Sequence, residues 1–179
     1  FSLLAVYSLI LAIKTEKKFY WLLLPFLLGF AFFSKQVPSS YVAISFILIL
    51  SIYSLINKKY YWVKYIFISS SIFILMIFLF GMNQGIDLSV FLDQYIFYPQ
   101  SIGSDRFQGL AFTFSGIVGH FKFIYVALIP IIYVNLKKIT RNKNYLLEKD
   151  FYYFLIFILF TFSLIFHQIL TRNQTFIFF

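Results

Sequence analysis

Two short polar stretches interrupt long apolar runs and carry most of the side chains able to do chemistry. The first is Lys35-Gln36, inside the break 34–40. Pro38 biases Val37 away from helical backbone, so the preceding segment should end here. An unwound end leaves free backbone groups beside an ammonium, and that ammonium offers a point charge for a phosphate. The same lysine could equally snorkel to water at an ordinary turn. The second stretch sets His167, Gln168, Thr171, Arg172, Asn173 and Gln174 within eight positions. If a helix continues through it, Gln168 and Arg172 share one face, and so do His167 and Thr171. Such density reads either as a pocket wall or as a plain solvated loop.

Between the two stretches, Arg106 follows Asp105 after Gly103-Ser104. An exposed local ion pair would contribute little, whereas an arginine held for bidentate contact would recognise phosphate. The carboxylates Asp87, Asp93 and Asp105 could supply a general base or hold a divalent cation. Their spacing fits no EF-hand loop, and His120 and His167 are too far apart to form a recognised zinc motif. There is no phosphate-binding P-loop, no dinucleotide glycine fingerprint, no HExxH and no nucleophile elbow.

The elements that must position these groups are apolar. Hydrophobic residues make up 61% of the 179, charged residues only 12%, and mean hydropathy is +0.87. That leaves too little polar surface to coat a soluble domain. The composition predicts an all-α, polytopic helical bundle in a bilayer, since each backbone group in hydrocarbon must be satisfied within its own segment. The runs lack the alternation of a membrane β-barrel. Spans are expected over about 1–13 (cut short), 19–33, 41–56, 61–80, 121–136, 151–166 and 175–179 (beginning only), with an external loop at 81–120. The whole reads as a single transmembrane domain and as a piece of a longer protein. Within the loop, residues 86–98 suit a short interfacial helix, and the breakers at 98–104 predict a turn after it.

Alternate loops sort the cations. Lys14, Lys17, Lys18, Lys58, Lys59, Lys64, Lys137, Lys138, Arg141, Lys143 and Lys149 fall on one side, and Lys35, Arg106, Lys122 and Arg172 on the other. By the positive-inside rule the crowded side is cytoplasmic, so the net charge of +9 orients the chain and does not point to nucleic acid. The expected setting is a bacterial inner (plasma) membrane, crossed several times. No cysteine is present, which excludes disulfides and thiolate metal sites.

The stretch Leu28-Gly29-Phe30-Ala31-Phe32-Phe33-Ser34-Lys35-Gln36 resembles a glycine, small residue and terminal lysine that membrane glycosyltransferases of the GT-C type often carry where a span reaches the outer face. That group includes protein mannosyltransferases and bacterial aminoarabinose transferases. The polar cluster at 167–174 is similar in placement. The resemblance implies transfer of a sugar from a polyprenyl-phosphate donor, a membrane lipid, to a glycan, lipid or protein acceptor on the outer side. Lys35, Arg106 and Arg172 would hold the phosphate, while Gln36, His167, Gln168, Asn173 and Gln174 would bind substrate. It further implies an acidic residue in a first external loop, expected before Phe1, with Asp93 and Asp105 as weaker substitutes. No metal ligand set follows from it, although a divalent cation stays open. The competing class is a transporter or lipid flippase with a polar outer entrance. Transporters more often place ionisable groups at the bilayer midplane, and the span centres here are nearly free of them.

Overall fold

The computed structural model describes residues 1–108 and 113–171, with the side chains of Arg106 and Gln108 outside the description. Among these residues the protein is all-α. Its helices are α1 (Ser2–Thr15), α2 (Lys18–Ser34), α3 (Gln36–Asn57), α4 (Tyr61–Asn83), α5 (Leu88–Leu92), α6 (Tyr98–Gln108), α7 (Lys122–Arg141) and α8 (Lys149–Thr171). Four of them, α3, α4, α7 and α8, are long and apolar enough to cross a bilayer, while α1 and α2 are shorter apolar helices. This is a membrane protein.

The core is built by α1, α2, α3 and α8. Leu9, Ala12, Ile13, Trp21, Leu24, Ile49, Tyr152 and Ile156 are essentially inaccessible. By contrast α4 and α7 turn most of their surface outward, with Phe67, Ile74, Phe123 and Val126 all more than 60% exposed. Against hydrocarbon such exposure carries no penalty, because lipid tails are as apolar as the side chains.

Helix pairs are joined by small residues and hydroxyls. A Cβ at Gly29 would overlap the Phe73 ring, so the absence of a side chain there lets α2 and α4 close on one another. Pro25 has no N–H to give the Trp21 carbonyl, and the neighbouring Leu22 carbonyl takes a hydrogen bond from Ser69 on α4. The α3–α8 seam is antiparallel. Asn57 Nδ2 donates to the Tyr152 hydroxyl at 2.6 Å, and the Ser45 and Ser163 hydroxyls meet at 2.7 Å. Farther along, Tyr41 packs edge-on against Phe166 at 4.9 Å.

The lysine-rich ends are tied together. Lys59 pairs with Glu16 at 2.7 Å, Lys149 donates to the Lys14 carbonyl at 2.8 Å, and the Tyr152 hydroxyl donates to the Leu146 carbonyl at 2.9 Å. Tyr145, buried in the connector after α7, donates to Asn135 Oδ1. Burial and the nearby Asp150 and Glu148 carboxylates push its phenol above the ordinary range.

One expectation needs correction. Residues 98–104 do not form a turn, since they begin α6. Asp93–Phe97 is wound as a wider π turn in which the Tyr98 N–H reaches the Asp93 carbonyl. Pro99, which has no N–H to place, comes just after this widened turn, in the first turn of α6. The external segment 81–120 is partly helical, in keeping with the interfacial helix expected within it: α4 runs on to Asn83, and helical turns fill 88–108 and 115–119.

Candidate functional site

Lys35 sits where α2 ends and α3 begins, with extended backbone (φ −160°, ψ 105°) and its N–H on the Ala31 carbonyl at 2.9 Å. Val37 is non-helical, as Pro38 dictates. The free backbone groups expected at this bend are only partly there, because serine side chains take up the carbonyls. The Ser39 hydroxyl reaches the Ala31 and Lys35 carbonyls at 2.9 and 2.7 Å, and Ser40 donates to the Gln36 carbonyl at 2.9 Å. What the bend offers a ligand is therefore the ammonium itself. Lys35 is exposed, and among the described residues it has no ion-pair partner.

Gln36 does something its sequence did not announce. Its Nε2 donates to the Tyr95 carbonyl at 3.2 Å, latching the π turn of the external segment onto the α2–α3 bend. Phe33 completes the latch, lying 5.3 Å from the Tyr95 ring and 6.1 Å from Phe91, which itself stacks on Tyr95 at 4.9 Å. With its amide committed to a carbonyl, Gln36 acts here as a positioning residue.

α8 continues as a helix to Thr171, so His167 and Thr171 do share a face, and the Thr171 hydroxyl donates to the His167 carbonyl at 2.9 Å. His167 is buried at 6% exposure. Gln168 Oε1 is shielded from solvent and has no hydrogen-bond partner among the described residues. A buried amide oxygen without a partner is costly, and a ligand donor placed there would recover that cost.

The α3–α8 register brings the two polar stretches to one end of the bundle. Tyr41 lies beside Phe166, which places Gln36 and Lys35, just before it in the chain, at the same end of the bundle as the close of α8. The external segment arrives at the same place, since Phe107 on α6 packs against Phe166 at 6.1 Å. The backbone of Arg106 adjoins Phe107, so α6 carries position 106 to the end of α8. Arg172, Asn173 and Gln174 lie outside the described residues. Asp93 and Asp105 are exposed on the external segment.

No family model, curated protein or solved structure matches this chain. The arrangement must be read from its own chemistry. Among the described residues no three of His, Asp and Glu converge as a metal site. The exposed Asp87 carboxylate caps α5, accepting from the Ser89 N–H and hydroxyl at 2.7 and 2.8 Å. Those two bonds favour the ionised form and hold its pKa below the ordinary carboxylate range. Asp87 is thus already engaged at a helix start, a role that the sequence signal Asp-x-Ser at the head of a helix could have revealed.

Proposed function

We propose that this chain belongs to a membrane glycosyltransferase of the GT-C type, which moves a sugar from a polyprenyl-phosphate donor to an acceptor at the membrane surface opposite the lysine-rich loops. The observation that carries this reading is the meeting at one end of three things: the Lys35 ammonium at the α2–α3 bend, the external helices latched there through Gln36, and the His167-Gln168 end of α8. Leaving-group phosphate gains negative charge in the transition state, and fixed cations in a partly dry site stabilise it most at that moment. Lys35, Arg106 and Arg172 take that role. His167 and Gln168, with Asn173 and Gln174, offer hydrogen bonds to sugar or acceptor hydroxyls. A transporter would more often place charges at mid-membrane, yet the central turns of α3, α4, α7 and α8 hold none.

The positive-inside rule then puts the eleven clustered Lys and Arg in the cytoplasm of a bacterial inner membrane and the site outside it. The test is full-length protein in vesicles, assayed in parallel for sugar transfer from a polyprenyl-phosphate sugar and for substrate uptake. Transfer that falls at least about a hundredfold in Lys35→Ala and Arg172→Ala supports the reading, in line with loss of one transition-state donor. Uptake without transfer, or unchanged transfer in both variants, refutes it.

A further inference from the structure

At the end of α4 a groove of about 540 Å³ opens between α2, α4 and α5, within the size range of pockets that take small ligands. Its walls include Phe33, Phe73, Phe78, Met82, Phe91 and Leu92, and no polar side chain lines it. Water finds no hydrogen-bond partner on such walls, and apolar cavities take apolar guests instead. α4 is among the most outward-facing helices of the bundle, so the guest within reach is a lipid chain. The groove borders the site described above, since Phe33 and Phe91 line it and also pack on Tyr95 in the latch.

The charge beside the groove identifies the head of that lipid. Asp87 lies between the lining residues Ile86 and Leu88, and its Oδ1 alone takes both bonds from Ser89. The exposed amides Asn83 and Gln84 end α4 at the same rim. A carboxylate on the border complements a head that carries an ammonium. A doubly anionic polyprenyl phosphate would instead meet repulsion at Asp87.

The geometry points to a seat for an amine-headed phospholipid: one acyl chain lies in the groove and the lipid ammonium faces Asp87. This goes beyond the transfer reaction and does not depend on it.

Gly81 makes the seat testable, because it lines the groove and a Cβ built there meets nothing within 4 Å. Gly81→Phe should therefore fill the groove without straining the protein. Asp87→Asn should remove the charge and keep the helix cap, since asparagine accepts the same bonds. The experiment uses full-length protein in nanodiscs doped, in separate arms, with phosphatidylethanolamine, phosphatidylglycerol or a polyprenyl phosphate. Each probe carries a diazirine in its chain, and cross-links at Phe33, Phe91 and Leu92 are counted by mass spectrometry. Phosphatidylethanolamine should label most, fall about tenfold or more in Gly81→Phe, and lose its advantage over phosphatidylglycerol in Asp87→Asn. Gly81→Leu replaces the phenylalanine variant if that one fails to fold, and is read the same way. Labelling that survives the filled groove, a charge-neutral variant that keeps the preference, or equal labelling by either of the other lipids overturns the assignment.

Discussion

Gly29 gives the sharpest test of the packing, because its effect should change sign with its neighbour. A Cβ at this position lands on the Phe73 ring. That ring cannot swing aside freely, since Phe26, Phe30 and Phe33 surround it at centroid distances of 5.5, 5.4 and 6.2 Å. Forcing one extra carbon into such a contact costs about 1–3 kcal/mol. Replacing glycine by alanine inside a helix returns up to about 1 kcal/mol. The net for Gly29→Ala is then a loss of up to about 2 kcal/mol. With Phe73→Leu in the background the ring is gone, only the backbone term remains, and the same change should stabilise by up to about 1 kcal/mol. The assay is reversible unfolding in mixed micelles by denaturing detergent, run on all four members of the cycle. Equal destabilisation by Gly29→Ala in both backgrounds would show that the α2–α4 contact is not set by this ring.

Other outcomes follow from the same geometry. Tyr152→Phe removes two hydrogen bonds, from Asn57 and to the Leu146 carbonyl, and should cost about 1–3 kcal/mol in the same unfolding assay; Glu16→Gln, at a pair 42% and 36% exposed, should cost under about 1 kcal/mol. Asp87 has its pKa held below the ordinary range, so its contribution to α5 is fully present above that range and is lost as pH falls through the lowered value. Hydrogen exchange at 88–92 should accelerate there in wild type but show no such step in Asp87→Asn. Because the chain has no cysteine, Lys35→Cys and Arg141→Cys should label with impermeant maleimide from outside and from the cytoplasm, respectively, and the reverse pattern would invert the proposed orientation.

Apolar runs broken by lysine clusters are enough to predict α1 to α4, α7 and α8, because hydropathy over some twenty residues is a local property. The break at Val37-Pro38 was also legible, for the clash that Pro38 imposes depends on one neighbour. What escaped depends on partners distant in sequence. Nothing local says that Gln36 reaches Tyr95, or that Phe73 occupies the space beside Gly29. Gly29 belongs to the very stretch on which the family resemblance rests, and here it has a packing role beside any other. The helix through Pro99 is hidden because breaker residues at 98–104 signal a turn by type alone, whereas Pro99 is tolerated in the first turn of a helix. At the candidate site, Lys35 and the start of the α8 polar stretch could be named from residue type alone. Their meeting could not, since it depends on the pairing of α3 with α8.

α7 is pinned at both tips and slack between them. Phe121 is clasped by Ile165 and Ile169 at one tip, Tyr145 closes the other, and only Leu128 is buried along the shaft. An aliphatic exchanged in the lipid-facing midsection of that helix should therefore leave the fold intact, whereas a change at either anchor should loosen it.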